Sequence, residues 1–255
     1  MPECNKRQLT TQRHHTHKYL YHLMIKRALD KVISEDLSEI WTVLDNDEKR
    51  RIIDAFVIHN SKKNQMIYAE GEEPEYLWCL LQGKVKKFKD GVGGRVQILR
   101  LIRSVQYFGY RAYFAKEPYN SSAAAFEPSI VGTLPMTLVE DMINKNPKLA
   151  WFFIHELSRN LGGSDTKIVN LTQKHIRGRL AEALIVLRDH YGFEDDNMTL
   201  RIYMAREDLA NLSNMTTSNA IRTLSGFVSE RLITVDGRRI CILNEPMLRK
   251  ISKFG

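Results

Sequence analysis

Between Met204 and Leu243 the chain reads MAREDLANLSNMTTSNAIRTLSGFVSERLITVDGRRICIL, and this stretch restricts its folding more than any other. Leu209 and Leu212 fall on one side of a short helix over Arg206–Ser213, with small Ala210 suited to a close contact. Asn214-Met215 then forms a short turn, since Asn tolerates the positive φ that such a turn requires. Thr216 is placed to cap a second helix, its hydroxyl accepting an amide proton from the first turn. That helix buries Ala220, Leu224 and Phe227 and directs Thr217, Ser218, Arg222 and Ser225 outward along one face. Two short helices at a tight turn, the second displaying polar side chains and an arginine, match a reader of the DNA major groove. LITVDGRRICI follows as a β-hairpin with Asp236-Gly237 as a type I′ turn and Arg238 and Arg239 on its arm, a basic wing.

The remainder of the 255 residues is too long for one small module and favours a second compact domain. Residues 1–23 carry little apolar periodicity and are read as a flexible basic arm; Met24 is an alternative start that would make the arm a translation artefact. From Met24 to Phe56 the pattern is helical, with Ala28, Val32 and Ile33 and then Leu37, Ile40, Trp41 and Leu44 at helical spacing. From Val57 to about Pro135 short apolar runs are cut by glycines. YLWCLLQGKVKKF reads as two strands around Gly83, and RVQILRLI alternates before running apolar. Such texture implies a β-roll or barrel rather than a parallel sheet. Leu138–Asn144 is helical, and a longer helix runs from Pro147 to about His175. In it Leu157, Leu161, Ser164, Ile168, Leu171 and His175 define a heptad seam, and Gly162-Gly163 is expected to kink or soften it. RGRLAEALIVLRDHYG is an amphipathic helix ended by Gly192, and LRIYM a short strand. The domains expected are therefore the arm, 1–23; a β-roll sensor with leading helices, 24–146; a dimerisation helix and hinge, 147–175; and a winged helix-turn-helix, 176–255.

Bulk charge adds little to this. The net charge is +8, but residues 1–29 hold six Lys/Arg against one acid, so most of the excess lies on the leading segment. No apolar run is long enough to span a membrane, and no apolar core marks a secretory signal. Cys4, Cys79 and Cys241 form neither a disulfide framework nor a CxxC pair, which suits the cytoplasm. His14, His15 and His17 are a solvated tail rather than a metal site, because no carboxylate or rigid frame accompanies them. IHELSRN lacks the second histidine of a zinc-protease helix, GVGGRV lacks the third glycine of a dinucleotide loop, and GGSDT is not a nucleophile elbow. No metal, cofactor or catalytic residue is assigned, and the chain is not expected to be an enzyme.

Taken in order, EGEEPEYLWCLLQGKVKKF, YFG, NPKLAWFFIHELSRN, VNLTQKHIRGRLAEALIVL and the winged segment resemble the Crp/Fnr (catabolite-activator) family of bacterial transcription regulators over residues 30 to 250. The resemblance implies an α+β protein: an N-terminal β-roll of cyclic-nucleotide-binding type, a long dimerisation helix and a C-terminal winged helix-turn-helix. It implies a cytoplasmic homodimer on a palindromic double-stranded DNA operator, controlled by a small-molecule effector, with RNA polymerase as a further partner. By position, Thr217, Ser218 and Arg222 fall on base-reading sites, Arg206 and Arg238 on phosphate-contacting sites, and Ser225 extends the outward face. The family usually has Glu where Ser218 stands.

The effector pocket by resemblance comprises Gly109, Tyr110, Arg111, Ser121 and Ser122. Family members that bind cyclic AMP carry a Glu directly after FG and an Arg about ten residues later. Here FG is followed by Tyr110, and no Arg lies between Arg111 and Arg159. A buried phosphate without its guanidinium loses a bidentate charged contact, so the effector expected is not cyclic AMP. Cys4 and Cys79 alone cannot hold an iron–sulfur cluster. Two rival readings stand beside this one: a regulatory module with a cyclic-nucleotide-type β-roll that binds no DNA, and a metal enzyme using the N-terminal histidines.

Overall fold

The computed structural model describes residues 39–254. The expected basic arm, its three histidines and the helical pattern at Ala28–Ile33 lie outside the described residues. Among the described residues two helices come first, α1 (Glu39–Thr42) and α2 (Asn46–Ala55). Asp45 and Glu48 cap α2 reciprocally, each side chain accepting the other's backbone N–H at 2.8 and 2.9 Å.

Eight strands follow: β1 (Val57–Ser61), β2 (Met66–Tyr68), β3 (Tyr76–Gln82), β4 (Val85–Asp90), β5 (Val96–Ile102), β6 (Gln106–Phe108), β7 (Ser122–Ala125) and β8 (Ser129–Pro135), with α3 (Tyr110–Ala115) between β6 and β7. They form two antiparallel sheets, β1-β8-β3-β6 and β2-β7-β4-β5. The chain crosses between them at Gly83, where φ is +92° and a Cβ would stand 2.7 Å from the Pro128 carbonyl, so only glycine fits. Between the sheets lie Tyr68, Leu80, Val85, Ile102, Phe108, Tyr119, Ala123 and Val131.

Next come α4 (Met136–Lys145) and α5 (Pro147–Gln173). Asn146 caps α5 by accepting the Lys148 N–H at 3.0 Å. It also donates to Val43 O and Glu48 Oε2, tying the helix to the leading segment. The α5 helix runs unbroken through Gly162-Gly163, so of the kink or soft point expected there the kink is absent. Both glycines face open space and the i→i−4 ladder absorbs them. Of the expected heptad seam, Leu161, Ser164, Ile168 and His175 are exposed and Leu171 is half-buried, so the structure departs from it chiefly at its first position. Leu157 packs into the α1–α4 cluster, while Ile154, Leu161 and Ile168, seven residues apart, are exposed with Trp151 and Val169. The first turns of α5 are claimed on one side by Leu149, Phe152 and Phe153, which draws Leu157 inward and leaves Ile154 outside.

The C-terminal unit comprises α6 (Ile176–Tyr191), α7 (Arg206–Leu212), α8 (Thr217–Ser229), the hairpin β9 (Ile233–Asp236) and β10 (Arg239–Ile242), and α9 (Glu245–Phe254). Leu200–Met204, expected as a strand, is not one. Leu200, Ile202 and Met204 are buried in alternation, but only Met198–Leu200 reaches the hairpin edge, through isolated bridges.

Gly132 on β8 sits against the Phe56 ring, where an added Cβ would come within 1.8 Å of Cζ. Gly132→Ala is expected to destabilise the roll by ~1–3 kcal/mol through overpacking, read as a lowered Tm; an unchanged Tm would mean that Phe56 relocates freely.

Candidate nucleic-acid interface and sensor site

The turn between α7 and α8 is closed by Met215 N–H donating to Ala210 O at 3.0 Å, with Asn214 at φ +50°. Thr216 Oγ1 caps α8 by accepting the Asn219 N–H at 3.2 Å. Ala220, Leu224 and Phe227 are buried, while Thr217, Ser218, Arg222 and Ser225 are exposed together with Ile221 and Val228. Arg222 donates to Asn219 Oδ1 within the helix and is otherwise free to extend. Arg177 lies 4.9 Å from the Phe227 ring centroid and pairs with Glu230, bracing the far end of α8 from α6; the sequence reading missed this brace, which joins residues 53 apart.

The wing turn differs from expectation. Asp236 pairs with Arg239, so the two loop residues are Gly237 and Arg238, and only Gly237 has positive φ, at +55°. Glycine at the first loop position is the II′ pattern; the I′ reading needs both residues at positive φ. Arg238 is exposed at the tip. Arg206 is half-buried, with Nη2 donating to Gly237 O at 2.8 Å and Nη1 buried without a partner. Its guanidinium thus faces the hairpin, whereas Arg238 faces solvent.

The C-terminal unit seats on the outer face of the β2-β7-β4-β5 sheet. Ile98, Leu101 and Phe126 share one buried cluster with Leu184, Leu209, Ala210 and Met215. Lys86 on β4 pairs with Asp208 on α7 at 3.1 Å, both largely shielded, and its ammonium lies 5.9 Å from the Phe126 ring centroid. A cleft of about 230 Å³ remains between the two units, lined by Arg95 and Gln97 on one side and Asn211 and Asn214 on the other.

The five residues selected as an effector pocket do not converge. Gly109, at φ +89°, lies against Trp78 and Tyr119, a Cβ there meeting Trp78 Cδ1 at 2.7 Å. Tyr110 turns away from the roll interior onto Phe114 and Phe153, its hydroxyl accepting from Asn160 Nδ2 at 3.1 Å. Burial and nearby Glu156 push its phenol up to about 12. Arg111 is half-buried, 3.4 Å from Glu117. Ser121 is buried and donates to Asn120, and Ser122 accepts the Glu70 N–H at 3.0 Å. Aromatic rings occupy this end of the roll: Tyr68 stacks on Tyr119 with centroids 3.8 Å apart, and Trp78 on Phe108. Cys79 is buried, its thiol pushed up to about 12 by that burial and so inert. Missed by the sequence reading are Lys87 and Arg100, paired across β4 and β5. The alternation that puts Lys87 in phase with buried Val85 was the available signal. Among the described residues no group of His, Cys, Asp or Glu could hold a metal, and no helix is long and apolar enough to cross a membrane.

Comparison with known proteins agrees with this architecture. Residues 58–146 match the cyclic nucleotide-binding domain, and residues 178–251 the Crp-like helix-turn-helix domain. The chain is 27% identical over 194 residues to the fumarate and nitrate reduction regulatory protein of Vibrio cholerae, covering 75% of this chain and 76% of that one. It is 22% identical over 193 residues to the CRP-like cAMP-activated global transcriptional regulator of Mycobacterium tuberculosis, covering 75% and 86%. The solved structure of FixK2 from Bradyrhizobium japonicum superposes with a TM-score of 0.70 at 20% identity, over 77% of this chain and 96% of that one. The chain belongs to the Crp/Fnr family: it is a transcription regulator with a cyclic-nucleotide-binding-type sensor domain and a DNA-binding helix-turn-helix. The rival reading without DNA has no support.

Asp208→Asn removes the charge facing Lys86 and is expected to loosen the seating of α7 on β4 by ~1–2 kcal/mol. Hydrogen exchange at β4, β5 and α7 should then rise; unchanged exchange would assign the docking to the apolar face alone.

Proposed function

We propose that the chain binds a palindromic operator as a homodimer, reading bases with Thr217, Ser218 and Arg222 on α8 and gripping phosphate with Arg238 at the wing tip. The observation that carries this is the α8 face itself: a capped helix, rigidly backed by Leu224 and Phe227, whose outward polar side chains are exposed and where Arg222 bonds only Asn219 of the same helix. Ser225 extends that face. Arg206, held to Gly237 through one arm and with the other arm buried, acts by fixing the wing against α7 rather than by gripping phosphate. The exposed Ile154–Leu161–Ile168 row on α5 is the surface a second copy would cover, giving two α8 helices about 34 Å apart, one turn of B-DNA. Residues 147–175 would then be the dimerisation helix and hinge, flanked by the sensor over 24–146 and the DNA unit over 176–255. No reaction is assigned to any residue.

A randomised-site selection tests the division of labour. Arg222→Ala should cost ~1–3 kcal/mol on the preferred site and relax selection at one base pair per half-site. Arg238→Ala should weaken all sequences alike and reduce the salt slope by about one unit per half-site. An Arg222→Ala protein with its full consensus intact, beside an Arg238→Ala protein with an altered one, would overturn this placement.

The effector is proposed to be other than cyclic AMP. Tyr110 stands where the ribose carboxylate would be needed and points away from the interior. No arginine follows Arg111 before Arg159. Calorimetry with cyclic AMP and cyclic GMP at millimolar concentration should give no saturable heat, and micromolar binding of either would sink the proposal.

A further inference from the structure

The face of β4 and β5 that closes the roll carries an arrangement that the fold alone does not explain. Lys87 and Arg100 are direct cross-strand partners. Both are in phase with the pair Val85–Ile102, whose side chains are fully buried between the sheets. On its other side Lys87 faces Ala123 of β7, also fully buried, so its stem runs along the roll interior. Like charges placed directly opposite on one sheet face destabilise it, and the usual remedy is a carboxylate. Among the described residues Lys87 has no hydrogen bond or ion pair, and Arg100 has only Asn160 Oδ1, at 2.5 Å. Arg111, on α3, adds a third cation whose field acts on both Lys87 and Tyr68. Its carboxylate, Glu117, is 3.4 Å away on the exposed side. Burial, then Arg111 and Arg100, lower Lys87 to about 8.

Among the described residues Lys87 and Arg100 thus have no ion pair, and Arg111, whose charge acts on Lys87, is paired with Glu117. The geometry points to a binding site for a small dianionic oxyanion, a phosphate monoester or a dicarboxylate, held by Lys87, Arg100 and Arg111. This rests on the reading of the roll as a sensor and names the ligand class it takes. Two guanidiniums can each grip an oxyanion in bidentate fashion while the ammonium supplies a point charge. A phosphate monoester carries about −1.5 to −2 at pH 7, matching the excess better than the single charge of a cyclic phosphodiester. The site also touches the long helix. Arg100 holds Asn160 of α5, and Asn160 in turn donates to Tyr110, so a ligand that recruits Arg100 acts on α5 two residues before Gly162-Gly163.

The test is calorimetry on the full-length protein at fixed ionic strength in chloride. Inorganic phosphate in one arm and succinate in the other distinguish the two ligand sources. At least one should bind saturably, and Lys87→Gln and Arg100→Gln should each weaken it by about tenfold or more. Lys87→Met, which removes the repulsion and keeps the stem, should melt no lower than the wild type in chloride and gain nothing from the anion. Absence of saturable binding in both arms, or binding by the Lys87 variants equal to wild type, would overturn the site. A gel shift with and without the bound probe separates the two readings. Lys87-dependent anion binding that leaves DNA affinity unchanged would keep the site and remove its role as the sensor.

Discussion

Side chains alternate across a β-strand, and at β4 that simple fact places Lys86 and Lys87, neighbours in sequence, on opposite sides of one wall. Lys86 leaves the roll to meet Asp208 of α7, and Lys87 enters it beside Arg100. The partner strand keeps both sides supplied by means of a bulge. Lys87 pairs with Arg100 but Phe88 pairs with Ile98, so Leu99 is the extra residue and is pushed into solvent. A bulge leaves carbonyls without ladder partners, and here Lys167 of α5 donates to both Ile98 O and Leu99 O at 2.9 Å. Burial lowers that ammonium to about 8. Three parts of the molecule therefore meet at one irregular stretch of β5: the roll interior, the long helix and the seat of the DNA unit.

The seat is held chiefly by apolar contact. Ile98, Leu101 and Phe126 are almost completely removed from water against the C-terminal core, each worth ~1.5–3 kcal/mol where burial is complete. The Lys86–Asp208 pair keeps about a fifth of each side chain exposed, so its attraction is offset by desolvation and it acts mainly to fix register. Lys86 also lies over the Phe88 and Phe126 rings, which lets its charge remain close to an apolar contact.

What could be read from the sequence divides along the range of the interactions. The α7–α8 unit was legible down to its cap at Thr216 and the positive φ of Asn214, because those choices are set within a few residues. The turn at Gly237 was read one residue early, since register in a hairpin is fixed by strand pairing as well as by the favoured dipeptide. On α5 the seam was misread at its first position, where Leu157 and Ile154 both suit the spacing to Leu161 and only the position of Phe152 and Phe153 in the α1–α4 cluster decides which faces out. The pocket residues taken from resemblance do not point to one place, Tyr110 facing α5 and Ser121 facing Asn120, because neighbours far along the chain set their orientation. Lys87 was lost in a lysine-rich run that looks solvated; its neighbour across the sheet is 13 residues away and its other neighbour 36.

A sensor must bias one arrangement over another, and a ligand does so only by binding the two with different strength. Moving a population from 1:99 to 99:1 needs about 5.5 kcal/mol of such difference. Hydrogen bonds to charged groups contribute roughly 1.5–3 kcal/mol each, so about two to four that form in only one arrangement are sufficient. The Arg100–Asn160 contact offers that discrimination. While Arg100 holds Asn160, its fork is partly committed to α5; in an arrangement where α5 has shifted, the fork is free for an anion. Because Lys167 ties the same helix to the carbonyls of the bulge, such a shift also disturbs Ile98, which forms the floor on which the DNA unit rests. On the proposed reading the interior charge and the outer apolar seat share one strand, which lets a ligand act on both without any change in the fold of either domain.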